Sequence, residues 1–172
     1  MAISPRHSWT DRMKGAALLN NDTYEEVEAD QTATGQAAGV VALVAVAQAI
    51  GGAGEGGSGI LAGAISALLG WLLWAGITYL IGAKLLGGTA TWGELLRTLG
   101  FAQTPGVLYV LGFIPVLGAI IRFAVAIWVL IAGVIAIRQA LDVGTGKAIL
   151  TAVLGWLVIV LPLAILAAVA MD

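Results

Sequence analysis

The sequence contains no cysteine and a single histidine, His7, among its 172 residues. Without cysteine the chain has no disulfide, no thiolate ligand for a metal and no cysteine nucleophile. One histidine is too few for a histidine metal cluster. Because His7 lies in the N-terminal tail, no set of nucleophile, base and orienting residue can be assembled around it. We therefore expect no catalytic residue, no metal and no cofactor, and predict that the protein is not an enzyme.

Charge is also scarce. Charged residues make up 10% of the chain, whereas hydrophobic residues make up 60% and the mean hydropathy is +0.99. Soluble domains are roughly one quarter charged. A soluble fold of this length could not bury so much apolar surface, so lipid is the expected solvent for most of the chain. The net charge of −2 provides no basic field, which argues against nucleic acid as a partner.

The apolar residues are grouped into runs long enough to cross a bilayer, which takes about 20 residues. The sequence therefore predicts an all-α integral membrane bundle of five transmembrane helices. It forms one domain, residues 31–172, which follows a cytoplasmic N-terminal segment, residues 1–30. The predicted spans are at about 31–54, 59–85, 94–113, 115–138 and 145–171.

The N-terminal segment is predicted to contain a short amphipathic helix. Apolar residues recur at helical spacing from Trp9 to Ala17, which is typical of a helix lying in the membrane interface, although a polar tail is the alternative. Thr23 and Glu26 fit a capping box that would start a second helix. The carboxylates from Glu25 to Asp30 would bind a cation or a basic partner, or simply form a solvated helix start.

A second capping box, formed by Thr91 and Glu94, predicts a helix that begins at Thr91. Glu94 and Arg97 are three residues apart on that helix and are predicted to form an ion pair at the inner membrane face. The alternative is a gating or coupling pair at the mouth of a cavity.

Proline is predicted to break or kink the helices at three positions, because it lacks a backbone donor and disfavours helical geometry in the residue before it. Pro105 follows Gln103-Thr104 in the third span. Pro115 separates the third span from the fourth, and Pro162 lies in the fifth.

Arg122 is a cation inside the fourth predicted span, where an ionisable group is costly. It either snorkels to the outer headgroups or lines a polar pocket with Gln103, Thr104 and Tyr109 of the third span. Such a pocket could hold an anion or a lipid phosphate, since a guanidinium matches phosphate geometry.

The cations predict the orientation of the chain in the cell (cytoplasmic) membrane. Apart from Arg122, lysine and arginine occur only before the first span, between the second and third, and between the fourth and fifth. By the positive-inside rule, the N-terminus is cytoplasmic and the C-terminus lies outside. The seven cations on that side are Arg6, Arg12, Lys14, Lys84, Arg97, Arg138 and Lys147.

Three stretches resemble the prokaryotic branch of the Yip family, whose eukaryotic members are Ypt/Rab-interacting membrane proteins. The stretches are TYEEVEADQTATGQA at 23–37, LLRTLGFAQTPGVLYVLGFIPVLG at 95–118 and GWLVIV at 155–160. The resemblance implies five membrane helices with a cytoplasmic N-terminus. Eukaryotic members are associated with vesicle traffic and membrane shaping, and the family supplies no catalytic residue.

Two functional hypotheses follow. The first is a non-enzymatic membrane protein that organises the membrane or binds a lipid, a membrane-protein partner or a second copy of itself. It would act through small-residue faces such as Gly35-x-x-x-Gly39 and through its acidic segment. The second is a transporter or channel for a small solute, ion or lipid that uses the pocket between the third and fourth spans.

Overall fold

The computed structural model of the chain describes residues 7–52 and 59–169. All regular structure in those residues is helical. Most of the Gly-rich stretch at 51–59 lies outside them. The helices are α1 (Trp9–Ala17), α2 (Asn21–Ala29), α3 (Ala33–Gly51), α4 (Ile60–Thr78) with a π-helical continuation (Tyr79–Leu85), α5 (Trp92–Ala102), a 3₁₀ helix (Thr104–Phe113), α6 (Leu117–Leu141) and α7 (Thr145–Val169).

Four helices in the described part of the chain are long and apolar enough to cross a membrane. They correspond to the first, second, fourth and fifth predicted spans. The third predicted span, 94–113, is instead divided between the 11-residue helix α5 and the 10-residue 3₁₀ helix. The prediction of five transmembrane α-helices is therefore not confirmed by helix length.

The division of the third span has a local cause. Pro105 has no N–H to donate, and the chain tightens around it into i→i+3 hydrogen bonds. Gln103 N–H donates to the carbonyl of Gly100 at 3.2 Å, and Gly106 N–H donates to the carbonyl of Gln103 at 2.8 Å. The interruption lies where the sequence predicted a break.

α5 and the 3₁₀ helix together join the two ends of the bundle. Both pack along α3 and α6. At one end, Arg97 of α5 contacts α2, and at the other end Gly112 of the 3₁₀ helix lies beside Gly51, the last residue of α3. α5 and the 3₁₀ helix together therefore cover the same distance as α3, which is about 28 Å long at 1.5 Å per residue.

The turn between the 3₁₀ helix and α6 is tight and strained. Leu117 N–H donates to the carbonyl of Pro115 at 2.7 Å, which closes a γ-turn around Val116. Val116 has φ +64°, a region that a β-branched residue rarely adopts. Pro115 thus ends one helix and lets the next begin at Leu117.

Pro162 does not interrupt the last helix. It lies inside α7, which runs to Val169 as a single helix, so a break at this position is wrong, whereas a kink there stays a prediction. A membrane helix tolerates an internal proline when neighbouring groups or local adjustment satisfy the freed carbonyl.

The small-residue contacts differ from the predicted Gly35–Gly39 face. A Cβ added to Gly35 would meet no atom within 4 Å, and Gly39 is covered by the ring of Trp9. The close approach of α3 instead occurs at Gly100 of α5, where an added Cβ would lie 2.7 Å from the Cβ of Ala37. Glycine is needed at position 100 because the two backbones touch there.

Candidate functional site

The residues before α3 fold into an antiparallel pair, α1 and α2, called the N-terminal hairpin below. Ser8 caps α1 with a capping box: its hydroxyl accepts from Asp11 N–H, and the Asp11 carboxylate accepts from Ser8 N–H. Asn20 caps α2 by accepting from Thr23 N–H at 3.2 Å. The predicted capping box of Thr23 and Glu26 is therefore wrong, because α2 starts earlier at a better cap.

Because Glu26 is not part of a cap, its carboxylate can bind Arg12. The Arg12 side chain is only 1% exposed and donates to Glu26 Oε1 from Nε at 3.0 Å and from Nη2 at 2.9 Å. Its Nη2 also donates to Asp30 Oδ2 at 2.8 Å, and its Nη1 donates to Gln36 Oε1 at 3.0 Å. One guanidinium thus connects α1, α2 and the first turn of α3.

The groups that contact Arg12 stabilise its charged form, and Arg12 stabilises the charged form of Glu26. Burial alone would lower the pKa of Arg12, but hydrogen bonds to Asp30 and Glu26 outweigh it and raise that pKa. Burial would likewise raise the pKa of Glu26, yet hydrogen bonds from His7 and Arg12 hold it below its ordinary value. His7 Nδ1 lies 2.5 Å from Glu26 Oε2. The cluster is therefore built to stay ionised.

Arg97 attaches the hairpin to α5. Its Nε donates to the carbonyl of Val27 at 2.9 Å, and its guanidinium also donates to the carbonyl of Glu28. These are the last carbonyls of α2, where a cation complements the helix dipole. Glu94 caps its own helix, with Oε2 accepting from Thr91 N–H at 2.8 Å, as the second capping box predicted.

The predicted ion pair between Glu94 and Arg97 is not among the ion pairs of the described residues, because each side chain has a backbone partner instead. Arg97 is buried at 6% exposure. Because Arg97 is buried under α2, its guanidinium binds carbonyls of α2 rather than the Glu94 carboxylate three residues away.

α6 holds the hairpin from the other side. Trp128 Nε1 donates to the carbonyl of Ala17 at 2.8 Å. One turn from the end of α6, Arg138 Nη2 donates to Asn21 Oδ1 at 3.0 Å, and Gln139 Nε2 donates to Glu25 Oε1 at 3.0 Å. Inside the hairpin, the buried hydroxyl of Tyr24 donates to the carbonyl of Ala16 at 3.1 Å. The hairpin is thus fixed to α3, α5 and α6.

The predicted interfacial helix is α1, and its apolar face lies against protein. Ala16 is fully buried, and Trp9 covers Gly39 of α3 while remaining partly exposed. Arg12 lies on that same face, three residues after Trp9 and four before Ala16.

Negative charge collects beside the attachment to α5. Burial raises the pKa of Glu28 to about 7, and the nearby carboxylates of Glu94, Asp142 and Glu25 add to the shift while Arg97 opposes it. Glu28 is only partly buried, so its carboxylate still reaches the surface of the hairpin. Several carboxylates thus lie near this attachment, at the same end of the molecule as most of the cations.

Arg122 lies at the opposite end of the bundle. It is in the second turn of α6, and its Nη2 donates to the carbonyl of Gly51 at 2.9 Å and to that of Gly112 at 3.3 Å. Gly51 is the last residue of α3, so the guanidinium caps the negative end of that helix. Arg122 also lines a cavity of about 360 Å³ with Gln48, Gly52 and Tyr109.

The four residues predicted to form one polar pocket are divided. Arg122 and Tyr109 line the same cavity. Gln103 lines a separate cavity of about 280 Å³ between α3 and α4, which it shares with Gln48. The hydroxyl of Thr104 donates to the carbonyl of Phe101 at 2.7 Å and is thereby satisfied within its own turn.

Sequence reasoning missed the Arg12 cluster because its partners lie 14 to 24 residues away. One signal was present in the sequence. Arg12 interrupts the apolar face formed by Trp9, Met13 and Ala16, and a cation on an apolar helix face implies a buried partner.

Comparison with known proteins gives one match. The family model described as the Yip1 domain matches residues 18–166 of the chain. Neither the curated proteins nor the solved structures contain a match. The matched region extends from the hairpin turn into α7, and so contains the attachments of α2 through Arg97, Arg138 and Gln139 but not the one through Arg12.

Proposed function

This chain belongs to the Yip1 domain family, and from that premise we propose that it is a non-enzymatic protein of the cell membrane that binds a partner protein on the N-terminal hairpin. The chain would cross the bilayer five times, with the hairpin in the cytoplasm. The fixed attachment of the hairpin through buried Arg12 is the observation that carries the proposal.

Five crossings are supported by where the third element begins and ends. α5 starts at the end of the bundle that holds the hairpin, and the 3₁₀ helix ends beside Arg122 and Gly51 at the other end. A chain that covers this distance inside the bundle need not be a continuous helix, since neighbouring helices satisfy its backbone.

The cytoplasmic position of the hairpin is supported by the placement of the cations. Arg12, Arg97 and Arg138 all contact the hairpin or form part of it, whereas Arg122 lies at the far end of α3 and α6. An excess of cations at one end is typical of the cytoplasmic face.

Partner binding is supported by the way in which the hairpin is built. A buried ion pair contributes little net stability compared with apolar packing, but it specifies one arrangement of the groups that it joins. Arg12 fixes the register of α1, α2 and α3, and leaves Asp22 exposed, whereas Glu25, also exposed, accepts a hydrogen bond from Gln139 of α6. A rigid surface with carboxylates suits a partner with a basic segment.

The proposal is tested by photo-crosslinking in intact cells. A photoreactive residue replaces Asp22 on the hairpin or, as a matched control at the other end of the bundle, Val116. We expect a discrete protein adduct from position 22 that is absent from position 116. Loosening the hairpin with Arg12→Ala should reduce the adduct from position 22 several-fold.

Equal adducts from the two positions, or an adduct from position 22 that Arg12→Ala leaves unchanged, would contradict the proposal. Lys14→Ala, which changes an exposed cation two residues from Arg12, is the control for charge alone and should leave the adduct in place.

A second candidate function, transport of a small solute, ion or lipid, is favoured by the cavity at Arg122. The cavity adjoins the interrupted third element, and interrupted helices are typical of transporter sites. Flux through protein-containing liposomes that is abolished by Arg122→Leu, in a variant that stays folded, would establish transport. Equal flux in the parent and in empty liposomes would rule it out for the solute used.

A further inference from the structure

An apolar cleft opens between α6 and α7 toward the surrounding lipid. Its volume is about 740 Å³, and its lining includes Val134 and Ile135 of α6 and Ile149 and Val153 of α7. Trp74 of α4 closes its inner side. A further cavity of about 260 Å³ shares Trp74 and Val134 with it and reaches toward α5. The cleft is therefore a deep apolar recess rather than a shallow groove between two helices.

The length of the cleft matches one leaflet of a bilayer. Along α7 the lining extends from Thr145, the first residue of the helix, to Trp156. At 1.5 Å per residue this is about 16 Å. The hydrocarbon core of a bilayer is about 30 Å thick, so one leaflet contributes roughly 15 Å. The cleft begins at the end of the bundle that holds the hairpin and stops near the middle of the membrane.

A cation lies at the hairpin end of the cleft. Val134 and Ile135 line the cleft, and Arg138 is the next residue on the same face of α6, three and four positions further along. It donates hydrogen bonds to the side-chain oxygens of Gln139 and Asn21, which are neutral. Among the described residues it forms no ion pair with a carboxylate. Asp142, the nearest acid in sequence, accepts a hydrogen bond from Thr89.

The first turn of α7 adds donors at the same place. The first N–H groups of a helix have no partner within it, and they attract anions. Gly144, which precedes α7, has no side chain that could cap them. Thr145 lines the cleft at this end. An apolar recess one leaflet deep thus ends at a guanidinium and a helix N-terminus.

We propose that the cleft between α6 and α7 is a binding site for one anionic phospholipid from the leaflet on the hairpin side. Its acyl chain lies along the cleft from Ile135 to Trp156, and its phosphate is held between Arg138 and the first turn of α7. The charge at the cleft end selects an anionic headgroup over a zwitterionic one.

The test uses the two tryptophans that line the cleft, Trp74 and Trp156, as reporters, in a parent variant in which the other four tryptophans, Trp9, Trp71, Trp92 and Trp128, are replaced by phenylalanine. The full-length protein is placed in phosphatidylcholine bilayers with a small, fixed fraction of brominated phosphatidylglycerol or, separately, of brominated phosphatidylcholine. We expect stronger tryptophan quenching by brominated phosphatidylglycerol. Arg138→Gln should weaken this preference about fivefold, the effect of one cation near the headgroups, and Arg138→Lys should restore most of it.

Matched variants separate the cleft from the rest of the lipid-facing surface. Val153 lines the cleft and is 49% exposed, whereas Val158 on the same helix lies outside it and is 52% exposed. Val153→Phe should abolish the preference, and Val158→Phe should keep it. Lys147→Gln is the control for charge, because Lys147 lies two residues beyond Thr145, on the opposite side of α7, and donates to the carbonyl of Leu86.

Equal quenching by the two brominated lipids would overturn the proposal, as would equal effects of Val153→Phe and Val158→Phe. A preference that survives both Arg138→Gln and Val153→Phe would place the anionic lipid elsewhere and would also overturn it. Circular dichroism and gel filtration of each variant establish that the fold is retained.

Discussion

Arg12 and Arg122 are both arginines among apolar helices, and the structure assigns them different partners. Arg12 forms ion pairs with two carboxylates and holds three helices together. Arg122 contacts backbone carbonyls at the end of α3 and lines a cavity. At the scale of the residue, the partner that a guanidinium finds determines whether it acts as a connector of helices or as the cap of one.

The first prediction concerns Arg12. Arg12→Ala leaves Glu26 and Asp30 close together without their cation, and breaking a buried pair in this way costs about 3 kcal/mol. Hydrogen exchange of the α2 amides should therefore become faster. Lys14→Ala, an exposed change on the same helix, should shift exchange by less than about 0.5 kcal/mol. Unchanged exchange in Arg12→Ala would show that the pair does not hold the hairpin.

The second prediction concerns Glu28 and pH. Its pKa is raised from an ordinary 4.5 to about 7 in the folded protein. The folded hairpin then keeps a proton that the unfolded segment has lost. The stability contributed by this group is full below about pH 4.5 and is lost as pH rises through about 7. Resistance of the hairpin to proteolysis should therefore fall between about pH 4.5 and pH 7 and change little above that.

Glu28→Gln should remove most of that fall and protect the hairpin at pH 8, because the amide stays neutral. Asp22→Asn, an exposed change in the same helix, should keep it. A pH profile that is the same for the Glu28→Gln variant and the parent would assign the dependence to another group.

At the scale of the element, the interruption of the third predicted span and the close contact of α5 with α3 belong together. α5 contains the buried Arg97 and Gly100, and it packs against α1, α2, α3, α4 and α6. The 3₁₀ helix that follows lies against α3 and α6. Local sequence around Pro105 ends α5, but only contact with its neighbours keeps the two pieces in line.

The third prediction compares two glycines. Gly100→Val would force a side chain into the backbone contact with Ala37 and should destabilise the protein by about 1–3 kcal/mol. Gly35→Val meets open space and should be close to neutral, because valine is a better helix former than glycine. Thermal unfolding in detergent measures the stability of each variant against that of the parent. Similar losses for the two variants would contradict the packing described for Gly100.

At the scale of the whole molecule, the two ends of the bundle differ. One end carries the hairpin, its carboxylates and most of the cations, and the other carries Arg122 and the strained turn at Val116. This polarity is what a membrane protein with a fixed orientation requires. The proposed partner surface and the proposed lipid headgroup site are both at the hairpin end.

The fourth prediction concerns topology. Because the chain has no cysteine, single cysteines report on one position each. A maleimide that does not cross membranes, applied to intact cells, should label Val116→Cys and leave Asp22→Cys unlabelled. A reporter enzyme fused after Asp172 should be active outside, since five crossings place the two ends of the chain on opposite sides. A reporter that is active only in the cytoplasm would indicate four crossings.

The sequence by itself determined the features that depend on composition and on neighbouring residues. The apolar runs indicate a helical membrane protein, the Thr91–Glu94 cap starts α5, and Pro105 marks the interruption, because each of these effects acts within one or two helical turns. Only the tertiary structure decided that Arg12 meets Glu26 and Gln36, that Arg97 binds the end of α2, and that Gly100 rather than Gly35 is in close contact with a neighbouring helix. Those outcomes depend on residues distant in the chain, and burial between packed helices outweighs the local spacing from which a sequence pattern is read.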